Sequence, residues 1–134
     1  MKNIKRFGVS LEKELFSELN MLVRKQSFPN RSQAIRFLIR DHKVGELWKE
    51  NKTVAGALIL IYDHHKRELV NKSLEIQHNF AKSILSSQHV HLDHNNCLEL
   101  LAVKGKASVL NRLSNQLIGL KGIKHGKLVM TGLE

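Results

Sequence analysis

The stretch QHVHLDHNNCLEL, residues 88–100, decides how the second half of this chain folds. His89 and His91 alternate with Val90 and Leu92, and Cys97 and Glu99 alternate with Leu98 and Leu100. Period-two alternation marks a strand, in which every second side chain projects from one face. Between the two runs, Asp93-His94-Asn95-Asn96 has turn composition. A hairpin whose register pairs His91 with Cys97 also sets His89 opposite Glu99. Three imidazole or thiolate donors and a carboxylate then share one small patch. Such donors suit nickel, copper or zinc, whereas magnesium and calcium take carboxylates and carbonyls. A lone intracellular cysteine is more often a small buried hydrophobe. It is the combination across one turn that favours a metal.

Upstream, the run from Lys66 to Leu85 carries Leu69, Ile76, Phe80 and Ile84 on one helical face. At 3.6 residues per turn, His78 points almost opposite to Ile76 and Phe80. Packed by that stripe onto its own sheet, the helix holds His78 outward, so the fourth ligand is expected from His78 of another subunit. A strand over Val54–Tyr62 precedes this helix, and the hairpin supplies strands over Gln88–Leu92 and Cys97–Lys104. A helix follows with Val109, Leu110, Leu113 and Leu117 inward, ending near Gly119 or Gly122, and a last strand spans Ile123–Thr131. The order βαββαβ is the split βαβ, or ferredoxin-like, arrangement. His64, His65 and His94 fall in loop-like stretches and read as solvated, and His125 before Gly126 reads as another turn.

The pattern changes near Glu50-Asn51-Lys52-Thr53, which divides the chain into domains 1–50 and 51–134. Arg6–Leu11 alternates and predicts a half-buried strand. Leu15, Phe16, Leu19, Leu22 and Val23 line a first helix, ended by Ser27-Phe28-Pro29-Asn30. Asn30 and Gln33 resemble a capping box for a second helix, which carries Ala34, Ile35, Leu38 and Ile39 inward and runs to about Lys49. One strand and two helices cannot close a core alone. Two such strands paired across a two-fold axis would bury Phe7, Val9 and Leu11 beneath four helices. Arg6, Gly8 and Ser10 would then face outward, on a ribbon that fits the DNA major groove.

Composition agrees with a polyanion partner. There are 22 basic and 12 acidic residues, a formal charge of +10, which raises encounter rates with nucleic acid. No apolar run is long enough to span a membrane. The basic start lacks the apolar segment of a signal peptide. A single cysteine cannot form an internal disulfide, so a cytoplasmic location is expected.

With both halves in hand, the chain resembles the nickel-responsive transcriptional regulators, in which a ribbon-helix-helix domain precedes an ACT-like regulatory domain. The resemblance covers nearly the whole chain. It rests on Arg6-Phe7-x-Val9-Ser10-Leu11, on Asn30-Arg31-Ser32-x-Ala34-Ile35-Arg36, on Gln77-His78, on His89-Val90-His91 through Asn96-Cys97-Leu98-Glu99, and on Gly122-x-x-His125-Gly126. It implies an α+β chain: a ribbon-helix-helix (βαα) unit followed by a ferredoxin-like, ACT-like βαββαβ domain.

The resemblance further implies one Ni(II) per subunit, held square-planar by His89, His91 and Cys97 with His78 of a neighbour. The residue chemistry alone leaves nickel, copper and zinc open, since three imidazoles and a thiolate also satisfy tetrahedral zinc. Glu99 and Tyr62 are candidates to orient the ligands through hydrogen bonds. For DNA, the family reads bases from strand positions that are here Arg6, Gly8 and Ser10. Gly8 stands where relatives usually carry a small hydroxyl residue and allows close backbone approach instead. Arg31, Ser32 and the start of the second helix would clamp phosphates. The expected whole is a non-enzymatic homotetramer, a dimer of dimers, that represses transcription from operator DNA when nickel is bound, with a nickel-uptake gene as its target. The alternative is a ribbon-helix-helix repressor whose ACT-like domain senses a small molecule, its zinc or other metal purely structural.

Overall fold

Leu15, Phe16, Leu19 and Leu22 recur at helical spacing, and Lys13–Lys25 forms helix α1 in the computed structural model, which describes residues 3–133. Ser27 takes a left-handed φ of 56° after it, and the chain turns through Pro29. Helix α2, Arg31–Lys49, begins where Asn30 Oδ1 accepts the Gln33 backbone N–H at 2.9 Å. The reciprocal half of the capping box is not made. Gln33 Oε1 instead accepts from Arg36 Nη1 at 2.8 Å.

The chain forms two compact units, Met1–Asp41 and His42–Glu134. The division falls inside α2 rather than at residue 50. The reason lies in the last turn of the helix: Trp48 is buried and its Nε1 donates to Thr131 O at 2.9 Å, so this turn belongs with the second unit.

In the first unit the expected strand Arg6–Leu11 is not formed. A strand needs a neighbour for its N–H and C=O groups, and none of the described residues of this chain supplies one. Phe7 is 74% exposed, and Phe16, Leu38 and Ile39 also stand largely in the open. Among the described residues of this unit, Ala34 is the one buried apolar side chain.

The second unit is built on four strands: β1 Thr53–Tyr62, β2 Ile84–Asp93, β3 Asn96–Lys106 and β4 Ile123–Thr131. Helix α3, Arg67–Asn79, follows β1, and α4, Ala107–Ile118, follows β3. The sheet order is β2-β3-β1-β4 with every neighbour antiparallel. This is the α+β, ACT-like arrangement expected of βαββαβ.

Helix α3 ends earlier than the apolar stripe suggested. After Asn79 the chain makes a single 3-10 turn, Ala81–Ser83, and Ile84 and Leu85 already belong to β2. Phe80 and Ile84 still pack on the same core from the turn and the strand, which is why the period did not mark the helix end. His125 lies in β4, opposite Ile61, rather than in a turn. The turn is instead at Gly122, whose φ of +102° an L side chain rarely adopts.

One face of the sheet carries Val54, Leu58 and Leu60 from β1 and Leu101 and Val103 from β3. Leu69 of α3 and Leu110, Leu113 and Leu117 of α4 cover them. Each fully buried leucine contributes about 2 kcal/mol by the area it removes from water. Along the paired strands this row runs Leu58 beside Leu101, then Leu60 beside Glu99, then Tyr62 beside Cys97. The core thus turns polar as it nears the β2–β3 hairpin. No helix among the described residues is long and apolar enough to cross a membrane.

Candidate metal centre

The hairpin register sets His91 opposite Cys97 and His89 opposite Glu99. Directly opposed residues of an antiparallel pair share a face, so these four lie on the face covered by the helices. Cys97 and Glu99 sit on the inner strand β3 and are buried. His89 and His91 lie on the edge strand β2 and are exposed. The patch therefore combines a rigid, dry floor with an accessible rim.

Glu99, 1% exposed, is the hub of the floor. Tyr62 Oη donates to its Oε1 at 3.0 Å, Gln77 Nε2 donates to its Oε2 at 3.2 Å, and His89 Nε2 lies 3.0 Å from the same Oε2. Three partners satisfy a carboxylate that would otherwise be costly to bury. They also fix the His89 ring. With Nε2 engaged by Glu99, Nδ1 is directed inward, 3.9 Å from Cys97 Sγ and 3.4 Å from Tyr62 Oη. Typical metal–nitrogen and metal–sulfur bonds sum to about 4.3 Å, so a single ion can reach both atoms. The donor set fits a borderline transition metal, and a carboxylate holding the distal nitrogen of a ligating histidine is the usual support for one.

Burial, and next the Glu99 carboxylate, push the Cys97 thiol above its ordinary range. Burial likewise pushes the Tyr62 phenol well up, with Glu99 adding to it, so the phenol stays a neutral donor. A metal that takes Cys97 as thiolate must displace a proton.

His91 and His78 do not join His89 and Cys97 within one chain. The His91 ring stacks on His64, centroids 4.1 Å apart and 11° from parallel. His78 stands in the last turn of α3 and is exposed, facing a cleft lined by Phe80, Lys82, Arg112 and Gln116. Among the described residues, the three-donor group within 4.8 Å is a different one: Asp63, His64 and His65. His64 was read as solvated, but it is half-buried. Burial, and then the neighbouring His65 and His91, hold its imidazole below the ordinary value. The period-two pattern could not reveal this, because loop residues carry no period.

Gln77 also escaped sequence reading as a site residue. The signal was its place beside His78 and four residues after Ser73, whose Oγ accepts from Gln77 Nε2 at 3.1 Å. That contact aims the amide at Glu99.

In the first unit, Arg6, Gly8 and Ser10 are exposed, and a Cβ placed on Gly8 would meet nothing within 4 Å. Arg31 opens α2. Its Nε donates to Asn20 Oδ1 at 2.9 Å, and its guanidinium lies 4.8 Å from the centre of the Phe16 ring. Arg31 is thus tied to α1, while Ser32 beside it is exposed.

Comparison with known proteins agrees with this chemistry. Residues 55–131 match the family described as the NikR C terminal nickel binding domain. The chain is 51% identical over 134 residues, all of both chains, to a protein of Chlorobium phaeobacteroides named as a nickel-responsive regulator. It is 47% identical over 133 residues to one from Syntrophus aciditrophicus, covering 99% of this chain and 97% of the relative. A Pyrococcus furiosus protein of the same name is 44% identical over 96% of this chain and 94% of its own length. The solved structure of an uncharacterized protein from Thermotoga maritima superposes with a TM-score of 0.54 at 20% identity. It covers 59% of this chain and 98% of its own, a likeness of fold.

Proposed function

The chain belongs to the family of nickel-responsive regulators, and we propose that it is a repressor that binds operator DNA when Ni(II) occupies a site made by two subunits. The family is regulatory rather than enzymatic. The observation that carries the reading is the hairpin register, which puts His89, His91 and Cys97 on one face beside the buried Glu99.

His89 Nδ1 and Cys97 Sγ would hold the ion from one chain, His91 would turn from His64 to join them, and His78 of the partner subunit would complete the set. When bound, the metal supplies a cross-link of fixed geometry between subunits. Glu99, Tyr62 and Gln77 orient His89 before any ion arrives. His78 is exposed on the outer face of its helix, which supports a role toward another copy rather than toward its own hairpin. The assembly proposed is a dimer of dimers carrying one nickel per subunit.

The exposed apolar residues of the first unit support the DNA-binding half. Phe7, Val9 and Leu11 of one chain would be buried by pairing with the same segment of a second. Arg6, Gly8 and Ser10 would then face the major groove, with Arg31 and Ser32 at the phosphates. To move the tetramer from mostly incompetent to mostly competent, nickel needs a differential affinity of about 5 kcal/mol between the two forms. The regulated gene would most simply be one for nickel uptake, in the cytoplasm of its host.

The deciding experiment is DNA binding at fixed salt to the gene's own upstream region and to nickel-transporter promoters, with Ni(II), Zn(II) or no metal. Tight binding to one site with nickel alone is the expected result. Equal binding in all three conditions would replace the sensor with a repressor whose metal is structural.

A further inference from the structure

The loop between β1 and α3 gathers donors that the nickel set leaves out. Asp63 Oδ1 accepts the backbone N–H of His65 at 2.9 Å and lies 2.9 Å from His65 Nδ1. One donor atom from each of Asp63, His64 and His65 falls within 4.8 Å of the others. His64 Nδ1 is buried and has no hydrogen-bond partner among the described residues. A buried imidazole nitrogen without a partner is uncommon, and a bound ion is among the groups that ordinarily satisfy one. At the hairpin tip, the His94 ring lies 4.9 Å from that of His65. The nearby cation, Lys124, is engaged with the hairpin: its ammonium donates to Asn95 O at 3.1 Å and to Asn96 Oδ1 at 2.7 Å.

Two imidazoles and one carboxylate are a donor set for a borderline divalent cation. Calcium and magnesium would need several more oxygens. We propose that Asp63, His64 and His65 form a second transition-metal site, separate from His89 and Cys97, that takes a zinc-like divalent ion, with His94 placed to approach as a further donor. The His64 ring lies against His91, so the second site adjoins the first without sharing a donor atom. It would remain whatever the first site binds.

The test removes the first site and asks what is left. The full-length Cys97→Ala/His89→Ala variant is titrated with Zn(II) by calorimetry, with circular dichroism confirming the fold. One equivalent per chain should remain. Adding His64→Ala and His65→Ala should weaken that equivalent at least tenfold. Asp63→Asn, which keeps an acceptor for the turn, should also weaken it. No zinc uptake by the first variant would overturn the proposal, as would uptake indifferent to His64 and His65. DNA binding does not enter this titration, so failure here leaves the nickel-sensor reading standing, and the converse also holds.

Discussion

The two units of this chain spend their apolar residues differently. In the second, Leu58, Leu60, Leu101, Leu110, Leu113 and Leu117 are all at most 1% exposed, and burial alternates along the inner strands β1 and β3 on the face the helices cover. In the first, α1 has no buried residue and Phe7, Leu15, Phe16 and Ile39 lie open. One unit closes its core from its own sequence. The other carries the amphipathic pattern of a core and lacks half the elements needed to close it. A single chain can thus carry a closed core and an open apolar face side by side, and the open face is where the proposed ribbon partner would enter.

The most forceful way to break this contrast is Phe7→Asp. If Phe7 is a ribbon-core residue, the substitution places an unpaired charge in a dimer core, a cost of about 4 kcal/mol per chain, so DNA affinity should fall roughly a thousandfold. Nickel stoichiometry in the second unit should not change. Operator binding and metal titration on the same preparation read both effects, and undiminished DNA binding would mean that Phe7 is a surface residue after all. The mirror-image change is Leu101→Ala, which empties a filled core and should destabilise the second unit by about 2–5 kcal/mol in thermal unfolding. A smaller cost would mean that this core is looser than its burial implies.

The same contrast governs what could be read from sequence. Strand β3 was legible because it alternates against a core in its own chain. Strand β2 was legible from the alternation of His89 and His91 with Val90 and Leu92, although it stays exposed, and the hairpin register followed from the turn composition of Asp93–Asn96. The end of α3 was not legible, since Phe80 and Ile84 feed the same core from a turn and a strand. Arg6–Leu11 reads as a strand and is unpaired, because none of the described residues of this chain offers it a ladder. Of the proposed site, His89, Cys97, Glu99 and Tyr62 were named from spacing or resemblance, and their side chains lie together. The Gln77 contact and the His64 stack depend on how a helix end and a loop fold back, which no local pattern records.

A subtler probe is Glu99→Gln. Losing the carboxylate that holds His89 Nε2 should lower nickel affinity about 10- to 100-fold. A second effect opposes it, because Glu99 also helps to raise the Cys97 thiol, so its loss eases ionisation. Burial is the larger cause of that shift, so the loss of orientation should win. Competition titration against a chelator measures the balance, and unchanged or tighter binding would remove Glu99 from the positioning role. With Cys97 held as a thiol below its raised value, each bound nickel releases a proton there. Affinity should therefore climb as pH rises through the neutral range, by about tenfold per pH unit for that group alone. A flat profile would argue that Cys97 is not a ligand.

The smallest expected effect discriminates between the units most finely. Asn30 Oδ1 caps α2 through the Gln33 N–H, but Gln33 turns to Arg36 instead of completing the box. Only one of the helix's orphan donors is therefore satisfied by this side chain, and Asn30→Ala should cost about 1 kcal/mol. A unit with few buried contacts depends on such local bonds more than one with a packed core. The loss should appear as earlier exchange of amide hydrogens at the start of α2, with strands β1 and β3 unaffected. If protection falls equally in both places, the units unfold as one cooperative body, and the division within α2 is a feature of geometry rather than of energy.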